Sequence, residues 1–494
     1  MGEAHGRFFE PTFNQSIKLR QADPRVTSDA GAILLREIDH RLALTADLGA
    51  ALLDPRDPDA IRYTHTELLR QHIYTLTLGY AHQDDADTLA HDVAMKLAVW
   101  DRRGPDVIDE RLASQPSDWR LVRRIGQIPH NLETVRAALP EWIARHQRAS
   151  GNGHKVACGT LDIDPFPIEV FGNQPGAAWH GHYHAKIYYP LVASFCAEGS
   201  YQSRRLGEGF VHAVLRRGNC GGAEGAVRFV RETIRKSRDL ACHLDARIDA
   251  GLVEGKVLDA IDEEGVRFVG RIKNNRRLDK LAEPHLSRPP GRPTKDGDEF
   301  AVELGEYRAE SWTRAYRLVL VVIDLPNPKT GLRALFPHYF VLITNWPRER
   351  RGAWELVEHY RNRGTFEDRL GEFNGTIGNG LSADSFAANE AALLLKLLAF
   401  NLAGIVRGEL EDSSGTGWDL KRVQQTVLKA GARVTEHGRR LMVDVARAAG
   451  VLWARVLDRV SRWWRDATWG RNGPRPRPWV APPSHAHLEL VLRE

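Results

Sequence analysis

Between about Ala30 and Arg148 apolar residues recur at helical spacing, as in Ile33, Leu34, Leu35 and Ile38 and again in Leu68, Leu69, Ile73 and Leu76. Side chains three and four apart share one face of a helix, so this stretch predicts a helical domain over residues 1–150. Pro140 and the run Ala149-Ser150-Gly151-Asn152-Gly153 read as its boundary. The period then changes to two in three short segments, Val156 to Asp164, Lys186 to Phe195 and Phe210 to Arg217, which predict an antiparallel meander. A helix follows over Ala223 to Arg238, with Ala226, Val227, Val230 and Ile234 on one face. A strand ending near Asp249, a helix from Leu252 to Ile261 and a strand from Val266 to Ile272 complete a β-α-β unit.

The order β-β-β-α-β-α-β is that of an RNase H-like core. Residues 278–346 break it: Pro289 to Pro293 mark a loop, and Phe300 to Leu304, Tyr316 to Ile323 and Tyr339 to Thr344 alternate like strands, so this part reads as a β-rich insertion. From Trp354 the pattern is helical again, through Glu367 and then Phe386 to Arg407. The expected architecture is a multi-domain α/β protein. Its RNase H-like core is split into residues 154–277 and 347–410, and helical regions flank it at residues 1–150 and 411–494.

With 494 residues, 42% hydrophobic and 27% charged, the chain can bury a sizeable core, which excludes global disorder. A formal charge of +5 is only mildly basic, so any nucleic-acid argument must rest on where the charge sits. Four scattered cysteines (Cys158, Cys196, Cys220, Cys242) form no CxxC pair and fit a reducing cytoplasm. Met1 to Arg20 lacks the apolar core of an export signal, and the apolar stretch Ala391 to Ile405 is interrupted by Lys396 and Asn401, as in a core helix.

Chemistry enters through the acids. In Thr160-Leu161-Asp162-Ile163-Asp164, strand alternation puts Asp162 and Asp164 on one face and Leu161 and Ile163 on the other. Two carboxylates among apolar residues are costly to bury unless a positive charge lies between them, which a divalent cation would supply; a solvated face is the plainer alternative. Asp249 ends a strand just before a helix, where α/β sheets place ligand-binding residues and where an ordinary N-cap also stands. A helix over Glu355 to Phe373 carries Tyr360, Arg363 and Glu367, with Asn374 next in sequence, near one face. Asp164 (or Asp162), Asp249 and Glu367 offer the hard oxygen ligands of a two-Mg2+ site, in which Mn2+ can substitute. Such a site performs in-line phosphodiester displacement on nucleic acid.

Several stretches then stand in a telling order: Leu112-Ala113-Ser114-Gln115-Pro116-Ser117, Leu161-Asp162-Ile163-Asp164 followed by Phe171-Gly172-Asn173-Gln174, Arg247-Ile248-Asp249-Ala250-Gly251, Tyr360-Arg361-Asn362-Arg363-Gly364-Thr365-Phe366-Glu367, and Phe386-Ala387-Ala388-Asn389. Together they resemble DDE-type insertion-sequence transposases of the retroviral-integrase-like superfamily, in the branch with a β insertion before the final Glu. The likeness runs from about residue 110 to 445. It implies a first catalytic acid at Asp164 or Asp162, a second at Asp249 and a third at Glu367. The Tyr-Arg-Glu-Lys signature of related transposases maps onto Tyr360, Arg363 and Glu367, while its Lys position holds Asn374, a departure that weakens one DNA-backbone contact. Pro165 and Phe166 replace the small polar residues usual after the first acid, which leaves the choice between Asp162 and Asp164 open.

Arg271, Lys273, Arg276 and Arg277 follow the strand after Asp249, where a DNA backbone would pass the metals. Arginines 455, 459, 462, 465, 471, 475 and 477 interleave with tryptophans 453, 463, 464, 469 and 479 in the tail, which suits either a nucleic-acid surface or a packed core. His180, His182 and His184 alternate without a partner at zinc-site spacing, and neither Ser114 nor Ser200 has a hydrolase elbow motif. The resemblance implies a cut-and-paste transposase that cleaves transposon ends and transfers strands into target DNA. It would act on double-stranded DNA with terminal inverted repeats as a homodimer, in the cytoplasm on the nucleoid and away from membranes. End recognition is expected in residues 1–150. The alternatives are a nuclease that cuts without joining and a catalytically silent DNA-binding protein on the same fold.

Overall fold

The computed structural model describes residues 25–463 apart from 83, 103–104, 152–153, 198–206, 289–296, 328, 379 and 438–439. The loop expected at Pro289 to Pro293, Ser200, the first twenty residues and the tail beyond Trp463 lie outside the described residues. The N-terminal helical pattern forms, among others, α1 (Gly31–Leu42), α2 (His65–Thr77), α3 (Gln115–Gln127) and α4 (Pro129–Ser150). Helix α2 starts at a capping box, in which the Thr64 side chain accepts from the Glu67 amide and the Glu67 carboxylate accepts from the Thr64 amide. Pro140 lies inside α4 and marks no boundary; it removes one backbone donor without ending the helix.

The predicted strands assemble into one eight-stranded sheet. They are β1 (Val156–Pro165), β2 (Leu191–Ala197), β3 (Gly209–Val214), β4 (Ala241–Ile248), β5 (Arg267–Ile272), β6 (Asp298–Tyr307), β7 (Tyr316–Asp324) and β8 (His338–Thr344). The spatial order is β6-β7-β8-β5-β4-β1-β2-β3. Strand β1 pairs parallel with β4, and β4 parallel with β5; every other pairing is antiparallel. Helix α5 (Ala226–Ser237) precedes β4 and α6 (Gly255–Glu263) crosses from β4 to β5, giving the β-β-β-α-β-α-β succession the sequence predicts. The insertion strands extend the same sheet through the β8–β5 pairing. A short helix, Arg276–Ala282, capped by the Asn275 side chain, stands at the start of the segment expected to be free of helix.

One predicted strand is split. Residues 185–188 join a small three-stranded sheet with Ile168–Glu169 and Ala178–His180, whereas residues 191–197 form β2. The break falls at Tyr189-Pro190: Pro190 has no amide to donate, and the Tyr189 amide turns aside to the Arg216 carbonyl (3.2 Å).

Alternation along β1 sorts its side chains. Leu161 and Ile163 enter a core with Phe195, Val230, Ile234, Val257 and Leu258, under α5 and α6, and the acids point to the opposite face. The single helix expected over Glu355 to Phe373 is two, α7 (Ala353–Arg361) and α8 (Gly364–Thr376). The Arg363 amide bonds to the Tyr360 carbonyl (2.9 Å) and the Thr365 amide to the Asn362 carbonyl (3.2 Å), so the chain tightens to three-residue spacing before Gly364 starts the next helix.

Helix α9 (Phe386–Ser414) is long and apolar enough to cross a membrane by length and composition, but 89% of its apolar window is buried inside the protein. Its Leu394, Leu398 and Leu402 share one continuous core with Leu34, Leu69, Leu121 and Leu139 of α1 to α4 and with Trp453 of α10 (Arg447–Ser461). Each such buried leucine contributes roughly 1.5–3 kcal/mol. The region beyond residue 411, expected to be helical, also holds a hairpin, Ala432–His437 with Arg440–Val445, whose first strand pairs with Val26–Thr27. Six residues of alternation with only Ala432 and Val434 buried make a weak strand signal.

Candidate active site

Because β1 and β4 run parallel, their C-terminal ends lie on one edge of the sheet. The register pairs Asp162 with Arg247, so two residues further along both strands Asp164 stands beside Asp249. Alternation keeps Asp162 and Asp164, and likewise Arg247 and Asp249, on matching faces.

The deeper pair is closed. Arg247 donates from Nε and Nη2 to the two oxygens of Asp162, each at 2.7 Å, and from Nη1 to the His359 carbonyl at 3.1 Å. Asp162 is completely buried. The outer group is different: the Arg363 guanidinium, at the junction of α7 and α8, meets three carboxylates. Its Nη2 contacts Asp164 Oδ2 and stands 3.7 Å from Asp249 Oδ1, and its Nη1 donates to Glu367 Oε1 at 2.5 Å. Asp249 does not cap α6, whose N-cap residue is Glu254; its Oδ2 accepts from the Gly251 amide at 3.0 Å.

Burial pushes the Asp164 carboxyl up to about 7, opposed by Arg363 and reinforced by the charges of Asp249 and Glu367. Burial works against the charge on Arg363, but Asp164, Tyr360, Asp249 and Glu367 together hold its pKa above the ordinary value. Burial likewise raises Tyr360. Among the described residues no three His, Cys, Asp or Glu side chains stand together as a metal-binding group. Asp162 is taken by Arg247, and the other three acids surround a guanidinium.

An open cleft of about 790 Å3 is lined by Asp249, Glu367, Arg363, Tyr360, Arg271 and Lys273, among others. Arg271 stacks on Phe340, 5.3 Å from the ring centroid, and the Tyr360 ring lies 6.5 Å from the same ring. Arg276 and Arg277 do not line the cleft; Arg277 lies over Tyr307 and donates to the Arg308 carbonyl at 3.2 Å. Asn374, two turns beyond Glu367 on α8, lines a different cavity of about 840 Å3 with Lys396 and residues of α2 and α3. His180 packs against Tyr183 and Tyr189, with ring centroids 5.0 and 5.1 Å away. In the tail, Trp453 and Trp463 are buried, and Arg459 pairs with Glu409 and Asp412, each at 2.7 Å.

The chain matches the model of the transposase DDE domain group 1 family over residues 9–462. It belongs to that family. The family that the sequence resembles is therefore shown, and the mixed α/β architecture expected of the chain is the one observed. Among solved structures, the cryo-EM structure of the piggyBac transposase synaptic complex with hairpin DNA aligns over 80% of this chain and 78% of that chain, at 13% identity and a TM-score of 0.42. No curated protein matches.

Two arginines next to the acids escaped the sequence reading. Arg247 carried a signal, since it stands two residues before Asp249 on the same strand face. Arg369 did not: it donates to Ser194 Oγ (2.8 Å) and Glu208 Oε2 (2.9 Å), partners more than 150 residues away that only the fold brings near.

Proposed function

We propose that this transposase cleaves DNA at the ends of its element and joins them to target DNA, with Asp164, Asp249 and Glu367 as its catalytic acids. One observation carries the reading: three carboxylates, from β1, from the end of β4 and from α8, each face the single Arg363 guanidinium at one edge of the sheet. An excess of negative charge at a half-buried site calls for cations. The donor set is all carboxylate oxygen, which fits Mg2+, with Mn2+ as substitute. Two such ions would supply the charge that activates a water or 3′-hydroxyl and stabilises the leaving oxygen.

The chain's own groups act around that chemistry. Arg363 offsets part of the charge of the three acids, and its guanidinium would be free to hold a phosphate oxygen of the DNA where cations took over that part. Tyr360, Arg271 and Lys273 border the cleft where the sugar-phosphate backbone runs; Arg276 and Arg277 extend the basic edge beyond it. Double-stranded DNA with terminal inverted repeats, a homodimer on that DNA and a nucleoid location in the cytoplasm complete the reading.

The test is cleavage of a plasmid carrying the gene with its flanking DNA, in Mg2+, by the wild-type chain, Asp249→Asn and Glu367→Gln. Loss of cleavage with retained DNA binding supports the assignment; wild-type cleavage by either variant refutes the role of that acid. Joined product separates the transposase reading from a nuclease that only cuts, and DNA binding without cleavage by the wild type would favour a silent protein.

A further inference from the structure

A second basic site stands apart from the acids. A cavity of about 410 Å3 in the N-terminal helical region is lined by Arg56, Arg62, Arg111, Arg120 and Arg124 and by no carboxylate. It shares no lining residue with the acidic cleft. Ser117, Arg120 and Arg124 follow one another at offsets of three and four along α3, so one helix face presents a hydroxyl and two guanidiniums to the cavity. The loop before α2 supplies Arg56 and Arg62, and the segment leading into α3 supplies Arg111 and Ser114. The Leu112-to-Ser117 stretch, which the catalytic reading leaves without a role, forms part of this wall.

The charges here are only partly answered from within. Asp54 engages Arg56 with both oxygens, at 2.8 and 2.6 Å, and Arg111 reaches Asp87 at 3.2 Å near the surface. Arg124 has Nε and Nη2 buried without a hydrogen-bond partner. Ser114, the N-cap residue of α3, makes no side-chain capping bond. Burial depresses the pKa of Arg124, and the like charges of Arg56 and Arg120 add to the effect against Asp54. Unmet guanidinium donors in a carboxylate-free wall are costly unless an anion with several acceptor oxygens enters, and a tetrahedral phosphate matches the planar donor fork.

We infer that the Arg62–Arg120–Arg124 pocket is a phosphate-binding site that grips the DNA backbone away from the catalytic acids. The inference rests on the transposase reading for its ligand, since the phosphodiester backbone is the phosphate such a protein meets in quantity. It assigns the pocket to anchoring without sequence readout, because phosphate contacts set position and carry no base information.

The test uses the full chain, a fluorescent duplex of mixed sequence, and binding measured across a salt series. Arg120→Gln/Arg124→Gln should weaken binding to any sequence and flatten the dependence of log K on log salt by about 0.9 for each arginine removed. Arg62→Gln, at an exposed position, should flatten it by about 0.9 and is the deciding variant if the double substitution fails to fold by thermal melting. Wild-type slopes in variants that fold, with the wild-type chain binding DNA, would overturn the inference and leave the transposase reading standing. If inorganic phosphate raises the melting temperature of the wild type but not of the double variant, and DNA slopes are unaltered, the pocket serves a free anion and the backbone assignment is overturned. A wild-type chain that binds no DNA would overturn the functional reading and this inference with it.

Discussion

Asp162 and Asp164 lie two residues apart on one strand and one face, yet they belong to opposite kinds of site. Asp162 is sealed in a one-to-one pair with Arg247, with both oxygens satisfied. Asp164 shares Arg363 with two further acids, and part of the group is open: the Glu367 side chain is 62% exposed. The inner pair neutralises itself; the outer one has an excess of carboxylate that only an added cation or a protonated acid can relieve. A strand pair can thus carry a self-satisfied ion pair and a cluster of unbalanced charge two residues apart, with charge balance separating them.

The largest effect that separates the two is on activity. Glu367→Ala or Asp249→Ala should remove several kcal/mol of transition-state stabilisation, a loss on the order of 10^3-fold or more in cleavage rate, with melting temperature nearly unchanged. A quantitative cleavage assay beside a melt would break the comparison if the rate survived. The inner pair should respond the other way. Arg247→Leu strands a buried carboxylate and should cost about 3–5 kcal/mol of stability, read from urea unfolding, whereas Asp162→Leu/Arg247→Leu should recover much of it. An Arg247→Leu chain as stable as the wild type would mean that the pair does not hold the sheet.

The two regions should also differ in the sign of their pH dependence. The raised Asp164 makes a stability contribution that is complete below its unfolded value of 3.8 and lost as pH rises through about 7. His359, whose carbonyl caps the inner pair, is pushed down to about 2 by burial and by Arg351 and Arg247. Its contribution is complete above 6.5 and lost as pH falls toward 2. Without divalent metal, Asp164→Asn should flatten the alkaline limb of the unfolding midpoint against pH, and His359→Gln the acid limb. Mg2+ should stabilise the wild type more above pH 7 than below it. A Mg2+ shift independent of pH would sever the metal from Asp164. The smallest expected effect is at the rim: Arg271→Ala or Lys273→Ala should each flatten the salt dependence of DNA binding by about 0.9 and leave its sequence preference unchanged.

Local pattern determined a good deal of this protein. The strand-like pattern located β1, β5 and the insertion strands within a few residues, because an extended chain turns successive side chains to opposite faces whatever surrounds it. It likewise put Asp162 and Asp164 on one face, and the resemblance to DDE transposases named Asp249 and Glu367 and the family. What local pattern left undecided has a common cause, namely that the answer lies in a partner distant along the chain. Which of Asp162 and Asp164 is sealed in an ion pair turns on the β1–β4 register that brings Arg247 to the first. Tyr360, Arg363, Glu367 and Asn374, at offsets of three, four and seven, would fall near one face of a single helix, but the chain breaks at Asn362-Arg363, and Asn374, two turns beyond Glu367 on α8, lines another cavity. Residues 1–150 read as a unit of their own, yet the leucines of α1 to α4 complete a core with α9 from far along the chain. Side-chain periodicity is written in the sequence because it depends on neighbours within one turn or one pleat; register, charge pairing and shared cores depend on which distant segments pack together, and only the folded chain decides that.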